Sequence, residues 1–327
     1  GGLIGYAAKE VMVMSSSNTG RVFGLQNTGG LLGHGGQRFG TRGSSNTGQI
    51  SATQRVGGLV GFGITVNLND SFNTGTVSAT SQQAGGLIGY SDNPTIEGSN
   101  NSAPVSGTQS VGGLVGWTWQ DLNIDSSYNT GQITGSSDYV GGLGGWVNAG
   151  SSQITESHNA GAVSGRSNIG GLIGKSGQHS NLDSSYNTGA VAGSDNVGGL
   201  VGMTNGDFIA KATFNTGDVT ARYYVGGLSG YAIGGAVITD SYNVGSISGT
   251  WDTGGIVGLI GRPNVPSGDL QLTNVYSTGA VSGTSTFDAL VDRVAGGLTF
   301  SSIYAGSDSE LVSASAVLQM QAAELYT

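Results

Sequence analysis

Apolar residues recur along the chain in three columns that share one period, seen for example in the steps from Leu172 to Leu200 and Leu228. Leucines follow a pair of glycines, valines and isoleucines follow an Asn-Thr-Gly segment, and aromatic residues precede that segment. Beta-branched and aromatic residues in short runs between Gly, Asn and Ser are typical of short strands. The pattern therefore predicts three short strands per repeat. The leucine column comprises Leu3, Leu31, Leu59, Leu87, Leu114, Leu143, Leu172, Leu200, Leu228 and Ile256.

The glycine pairs keep a nearly constant period, which is the signature of a solenoid or repeat array. Propeller blades are longer, at about 40 residues or more, so this period favours a solenoid. We predict an all-β parallel β-helix of about ten 28-residue rungs, which at about 4.8 Å per rung makes a rod of about 50 Å. The first glycine of each pair is Gly1, Gly29, Gly57, Gly85, Gly112, Gly141, Gly170, Gly198, Gly226 and Gly254, with a late copy at Gly296.

An asparagine marks the second half of each repeat. Asparagine hydrogen-bonds its own backbone and tolerates left-handed dihedral angles, and glycine adopts positive φ freely, so Asn-Thr-Gly predicts a turn. Identical side chains on successive rungs would stack, and stacked amides satisfy one another. The asparagines are Asn18, Asn46, Asn73, Asn101, Asn129, Asn159, Asn187, Asn215 and Asn243, and Ser277 takes the place in the last copy.

The composition changes near the C-terminus. Ser307 and Glu310 resemble a capping box, and apolar residues then recur at helical spacing from Leu311. We expect a solenoid over residues 1–304 and, within 305–327, a short helix over 308–326 that caps the last rung or leads to a following domain. Because the chain opens inside a repeat, at Gly1, we expect it to be part of a longer protein.

Charge and composition narrow the function classes. The net charge is -9, which argues against binding to nucleic acid or to an acidic membrane surface. With 36% apolar and only 9% charged residues, the chain does not resemble a disordered protein. There is no cysteine, and no apolar run reaches the length of a membrane span. We therefore expect no disulfide, no thiolate metal site and no membrane insertion of this segment.

The sequence offers little for catalysis. There are three histidines, no His-Glu-x-x-His motif and no phosphate-binding loop, so we expect neither an enzyme nor a cofactor. Asp125, Glu156 and Asp183 lie before the asparagines, and we weigh two interpretations: a column that binds a cation or flanks a sugar, or solvated loop acids. The solvated interpretation is favoured, because no arginine or lysine recurs beside them.

Tryptophans give the best candidates for a binding surface. Trp117, Trp119 and Trp146 follow glycine pairs, and Trp117 and Trp146 are one repeat apart, so they are expected to stack on adjacent rungs. Exposed aromatic faces suit sugar binding, whereas the competing interpretation is local packing. A threonine column beside the asparagines is similar to ice-binding arrays, but turn chemistry explains it better. It comprises Thr19, Thr47, Thr74, Thr130, Thr188, Thr216 and Thr278.

Repeats of Gly-Gly-Leu-x-Gly followed by Ser-Tyr-Asn-Thr-Gly-x-Val resemble the GLUG-motif family, as at Ser127–Ile133 and Ser185–Val191. The resemblance covers residues 1 to about 300. GLUG repeats occur in large bacterial surface and secreted proteins, including filamentous-haemagglutinin-like adhesins and immunoglobulin-A-cleaving peptidases, where they lie outside the catalytic domain.

The resemblance implies a non-catalytic repeat module of an extracellular or cell-surface exoprotein, acting as an adhesin segment or a rigid stalk or filament. Its expected partners are host-cell or matrix glycans or proteins, or further copies through self-association along the rod. The alternative is a β-helical carbohydrate-binding or carbohydrate-active module, either a lyase or a hydrolase. A lyase or hydrolase would need one rung with clustered Asp, Arg and His, and the repeat contains none.

Overall fold

The chain winds into a parallel β-solenoid of about ten coils, as predicted. The computed structural model describes residues 1–262, 268–285, 287–288, 290–294 and 297–305. Within these ranges there are strands and turns and no helix. The helix predicted for 308–326 lies outside the described residues, as does most of the segment 305–327 to which it was assigned.

Each regular coil has five strand segments rather than the predicted three. In one coil they are Val115–Thr118, Leu122–Asp125, Tyr128–Asn129, Ile133–Gly135 and Val140–Gly141, and we number them first to fifth. The first three positions form one 28-stranded sheet, and the fourth and fifth form a ten-stranded sheet each. The predicted strands correspond to the first, third and fourth positions. Extra breaks arise at corners, where residues such as Ser126 adopt a left-handed φ of 47°.

The strand segments recur at equivalent places in every coil. First strands are Ile4–Ala7, Val115–Thr118, Gly144–Val147, Ile173–Ser176, Val201–Thr204, Ser229–Ala232, Val257–Ile260 and Val291–Val294. Strands that span the first and second positions are Leu32–Arg42, Val60–Asn69 and Ile88–Glu97. Second strands are Val11–Met14, Leu122–Asp125, Ser152–Thr155, Ser180–Asp183, Asp207–Lys211 and Gly235–Thr239. Strands that span the second and third positions are Leu270–Ser277 and Leu298–Ala305.

The remaining strands are shorter and equally regular. Third strands are Ser17–Asn18, Ser45–Asn46, Phe72–Asn73, Asn100–Asn101, Tyr128–Asn129, His158–Asn159, Tyr186–Asn187, Phe214–Asn215 and Tyr242–Asn243. Fourth strands are Val22–Phe23, Ile50–Ala52, Val77–Ala79, Val105–Gly107, Ile133–Gly135, Val163–Ser164, Val191–Ala192, Val219–Thr220, Ile247–Ser248 and Val281–Ser282. Fifth strands are Gln26–Gly29, Gln54–Gly57, Gln82–Gly85, Gln109–Gly112, Val140–Gly141, Ser167–Gly170, Asp195–Gly198, Tyr223–Gly226, Trp251–Gly254 and Phe287–Asp288.

Equivalent residues of successive repeats are neighbours in the sheets. The amide of Leu172 donates to the carbonyl oxygen of Leu200 at 2.8 Å, so these two leucines lie on adjacent coils. Both are fully buried. The prediction of one 28-residue repeat per coil is thereby confirmed.

The register corrects the last repeat. Val257 pairs with Val291 and Gly254 pairs with Asp288, a longer step than the regular repeat, so the pair at Gly296 does not continue the glycine column. Leu290 is buried and accepts a hydrogen bond from the amide of Ile256, so it continues the leucine column. The predicted copy at Gly296 was wrong because the period was counted on glycine pairs. The pairing of the strands follows the inward side chains instead.

The interior has two apolar clusters. The larger one collects the leucine column from Leu31 onward and the inward residues of the first and second strands, among them Phe208 and Ile238. The smaller one collects inward residues of the fourth and fifth strands, such as Ile133, Val140 and Val163. Each coil contributes only a few of these side chains, so the apolar core becomes continuous only through stacking.

Candidate functional site

A buried ladder of asparagines runs along the interior at the third-strand position. The Nδ2 of each asparagine from Asn18 to Asn215 donates to the Oδ1 of the next asparagine at 2.6–2.8 Å. The second N–H of Nδ2 is used as well: Asn187, for example, also donates to the carbonyl oxygen of Gly189 at 2.7 Å. The ladder ends at Asn243, because Ser277 takes the next position and donates to Gly255 instead. Both N–H groups of the amides within the ladder are therefore satisfied, which burial requires.

The glycine pairs make room for this ladder. A Cβ on Gly199 would lie 2.5 Å from the Cγ of Asn215, and one on Gly227 would lie 2.5 Å from the Cγ of Asn243. Real Cβ atoms do not approach so closely, so a glycine must face each asparagine. The two signatures of the repeat thus meet across the interior. Sequence reasoning missed this contact, although the nearly constant spacing between the two signatures was a signal.

The prediction for Asn-Thr-Gly is confirmed in part: the asparagines hydrogen-bond their own backbone, as Asn187 does with Gly189, but the expected left-handed dihedral angles are not found there. Among the described residues, positive φ occurs at other corners, including bulky residues such as Tyr139 and Tyr224, and at none of these asparagines. The glycine is needed for another reason: a Cβ on Gly217 would meet the carbonyl group of Gly189 in the preceding coil. Close approach of the coils, rather than left-handed dihedral angles, selects glycine here.

A first aromatic stack covers the outside of the third strands. From Tyr128 to Tyr276 the rings of successive coils lie 4.6–5.1 Å apart and within 7° of parallel. His158 lies between Tyr128 and Tyr186 in this stack, so its ring packs as one member of the aromatic column. Burial lowers the pKa of His158, because surroundings poor in water disfavour its charged form. Asn100 interrupts the stack between Phe72 and Tyr128.

The predicted tryptophans belong to a second aromatic stripe, on the outside of the first strands. The rings of Trp117 and Trp146 are stacked 5.3 Å apart with an angle of 15°, as expected from their spacing. Both are half-buried, and Tyr139 stacks on Trp146 at 4.5 Å. Trp119 is 46% exposed and meets Trp117 edge-on at 6.1 Å. Of the three tryptophans, Trp119 therefore has the most ring surface in water.

Cations lie against this second stripe. The guanidinium of Arg55 lies 5.3 Å from the ring centroids of both Phe62 and Tyr90, and the ammonium of Lys175 lies 5.6 Å from that of Tyr139. Burial lowers the pKa of Lys175. Cation–π contacts of this kind stabilise packed surfaces by about 0.5–2 kcal/mol. The ring faces in the centre of the stripe are therefore occupied by other side chains of the protein.

The three candidate acids do not form one column. Asp125 pairs with Thr155, and Thr155 pairs with Asp183, so a coil separates the two aspartates. Glu156 occupies the following position, where φ is 47°. The idea that these three carboxylates line up on successive coils is therefore wrong. The prediction grouped acids that lie three or four residues before the asparagine as if they were one position. Neighbouring residues along an extended chain point to different sides, so these are two different positions.

The remaining polar residues form no cluster for chemistry in the described part of the chain. No group of three His, Asp or Glu residues there is arranged to hold a metal ion. On the surface, Nδ1 of His179 lies 3.4 Å from Oδ2 of Asp207. His34 is in a distant part of the sequence, where its ring contacts the Asn27 amide. The threonine column is exposed along one corner. Of the described residues, none lies in a helix long and apolar enough to cross a bilayer.

One coil, Ala221 to Ser248, contains all five strand positions, the glycine pair and Asn243. Comparison with family models matches residues 221–248 to the GLUG motif. The chain carries the GLUG motif. The GLUG coil stacks in register on both of its neighbours. The preceding coil has Leu200 and Asn215 at the inward leucine and asparagine positions, whereas the following coil has Ile256 and Ser277 there. Comparisons with curated proteins and with solved structures gave no match.

Proposed function

We propose that this array is a non-catalytic, rigid module of a bacterial cell-surface or secreted exoprotein, acting as a stalk or an adhesin segment. The observation that carries the proposal is the asparagine ladder, which connects nine successive coils through side-chain hydrogen bonds. Each of these coils is thus held to the next by backbone pairing, apolar packing and a buried hydrogen bond between side-chain amides. Such a rod resists bending and carries whatever is attached to it at a fixed distance.

The outward faces support the same proposal. They repeat polar and aromatic side chains in columns, and among the residues that the structure describes no coil gathers Asp and Arg beside a histidine. Repeated surfaces suit many weak contacts with host-cell or matrix glycans or proteins, or with another rod, because avidity grows with the number of sites. We place the module outside the cell on the strength of its GLUG character.

Small-angle X-ray scattering on the purified chain tests the rod. We expect a cross-section of one solenoid and a length of about 50 Å for ten coils at about 4.8 Å each. A compact or flexible particle would contradict the proposal. Incubation with neutral and acidic polysaccharides tests the non-catalytic role. Turnover of a polysaccharide that disappears in Asp125→Ala or Asp183→Ala would contradict it.

A second candidate function, carbohydrate binding, rests on Trp119. Its side chain is 46% exposed. The next residue, Gln120, accepts a hydrogen bond from the exposed Asn93 side chain at 2.7 Å. An exposed aromatic ring suits a sugar, whose C–H bonds contact the ring, and exposed amides nearby in the chain can bind its hydroxyl groups. Trp117, itself stacked on Trp146, supports the Trp119 side chain rather than offering a free face.

A glycan array tests this candidate. Binding that is lost in Trp119→Ala and retained in Trp251→Ala would support it, because Trp251 is similarly exposed, at 44%, on a different face. Binding that is unchanged by Trp119→Ala would contradict the role of Trp119, and the absence of binding to any glycan on the array would contradict this candidate function.

A further inference from the structure

The last described coil differs from all the others at the final glycine of the Gly-Gly-Leu-x-Gly motif. In nine coils that position is a glycine whose Cβ would meet backbone atoms of the preceding coil at less than 3.0 Å. These glycines are Gly33, Gly61, Gly89, Gly116, Gly145, Gly174, Gly202, Gly230 and Gly258. The strand register places Asp292 opposite Gly258. A carboxyl group thus occupies a coil-to-coil contact that elsewhere holds no side chain.

The carboxyl of Asp292 faces another carboxyl. Its hydrogen-bond partner is Asp252 of the preceding coil, which is only 6% exposed and adopts a left-handed φ of 47°. Arg293 of the last coil contacts the same Asp252, with Nη2 2.7 Å from Oδ1. Asp288 is the other nearby acid, and its Oδ1 accepts the amide of Leu290 at 2.9 Å. Two carboxyls and one guanidinium therefore meet at this contact, and Asp288 is a further negative charge nearby.

We propose that the Asp252–Asp292 pair is a pH-sensitive latch that holds the last described coil against the coil before it. When Asp292 is protonated, its O–H donates to the Asp252 carboxylate, which also pairs with Arg293. When Asp292 loses its proton, this hydrogen bond is lost and two carboxylates face each other, with the Arg293 guanidinium paired to Asp252. The two neighbouring carboxylates of Asp252 and Asp292 then repel each other, so the contact between the coils opens.

The direction of the pH dependence follows from the environment. Burial, together with the hydrogen bond and the negative charge of Asp252, raises the pKa of Asp292 from 3.8 to about 7. An acid with a raised pKa in the folded state stabilises that state fully below its unfolded pKa, and this contribution is lost as the pH rises through the folded pKa. The free energy that holds the latch closed is therefore largest at acidic pH and falls between about pH 4 and pH 7, and the closed pair itself loses its proton near pH 7. Each pH unit in this window changes the opening constant by up to about tenfold.

Release should stay local, because a coil in a stacked array contacts only its neighbours. The contact that would open is the parallel pairing of Val257–Ile260 with Val291–Val294. Its opening would expose Leu290 and Val291, both buried when closed. The middle coils have glycine at this position and no such carboxyl pair, so they serve as an internal reference.

Hydrogen–deuterium exchange on the full chain tests the latch. Protection factors, which remove the intrinsic pH dependence of exchange, are compared for residues 290–294 and for Val201–Thr204 at pH 5 and pH 8. We expect protection of 290–294 to fall at least about tenfold while that of the middle coil stays constant. In Asp292→Asn the fall should vanish, because an amide cannot ionise. An equal fall in Asp292→Asn, or no fall in the wild type, would overturn the proposal.

A second measurement avoids any variant that fails to fold. The ¹³C chemical shift of the Asp292 carboxyl in the wild-type protein should titrate with a midpoint near 7. A midpoint near 4 would overturn the latch even if the last coil were found to open for other reasons.

Discussion

Asn187 and Tyr186 are consecutive residues of one short strand, and each stacks on its counterparts in the coils above and below. The amide of Asn187 is fully buried and hydrogen-bonded at 2.8 Å to the amides on both sides. The ring of Tyr186 lies 4.7 Å from His158 and 4.6 Å from Phe214, half in water. The two ladders have the same repeat, the same backbone and opposite surroundings.

This comparison teaches which ladder holds the rod together. A buried amide that loses its partner keeps the full penalty of desolvation, about 1–3 kcal/mol for each unsatisfied group. A surface ring that loses its neighbour is rehydrated, and a stacked pair contributes only about 0.5–1.5 kcal/mol beyond the area it buries. We infer that the inner ladder fixes the fold, whereas the outer ladders set what the surface presents.

The largest effect is expected where the backbones of adjacent coils touch. Gly202→Ala places a Cβ 2.5 Å from the amide nitrogen of Ile169 and 2.6 Å from the carbonyl oxygen of Gly174. Because the backbone of two coils would have to shift, we expect a loss above about 4 kcal/mol in the free energy of unfolding. Chemical denaturation measures it.

Gly36→Ala is the control for Gly202→Ala. Gly36 also lies in a strand, but a Cβ there would be 3.4 Å or more from its nearest neighbours, which is ordinary van der Waals contact. We expect a change within about 0.5 kcal/mol. Equal losses in the two variants would mean that the glycines are selected for something other than the approach of the coils.

The next effect concerns the apolar interior. Leu172 is fully buried in the middle of the leucine column, so Leu172→Ala should lower the free energy of unfolding by about 2–5 kcal/mol. The loss combines the removed apolar contacts with the cavity left behind. Thermal or chemical unfolding gives the value, and a loss below about 1 kcal/mol would show that the column relaxes to fill the gap.

The smallest effect is expected at the outer acids. Asp183 is partly exposed, and its Oδ1 accepts a hydrogen bond only from the neighbouring Ser184 at 2.9 Å among the described contacts. Asp183→Ala should change the free energy of unfolding by less than about 0.5 kcal/mol. If it were more damaging than Leu172→Ala, these acids would have a structural or metal-binding role, and a calcium titration would separate the two.

The sequence predicted the architecture well, because stacking forces every inward position to repeat. The step from Leu172 to Leu200, the aromatic stack around His158 and the pairing of Trp117 with Trp146 all follow from the period alone. Identical residues one repeat apart must lie on adjacent coils, so no knowledge of the corners was needed.

The sequence failed where distant segments meet or where the path departs from the period. The contact between Gly227 and Asn243 crosses the interior. The spacing of the two signatures was its only signal, and a spacing alone does not show which side chains face each other. Glu156 was grouped with Asp125 and Asp183 because residue counts do not show which side of a strand a side chain faces. Asp292 escaped notice because the glycine at Gly296 suggested a different register for the last coil.

The most direct test of the inner-ladder account is the difference between Asn187→Ala and Tyr186→Ala, measured by denaturation of both variants under one set of conditions. Asn187→Ala removes hydrogen bonds to Asn159, Asn215 and Gly189 and leaves buried groups unpaired. We predict a loss of about 3–5 kcal/mol for Asn187→Ala, against about 1 kcal/mol for Tyr186→Ala. A larger loss for Tyr186→Ala would contradict the account, because it would place the stability of the rod in its outer rings.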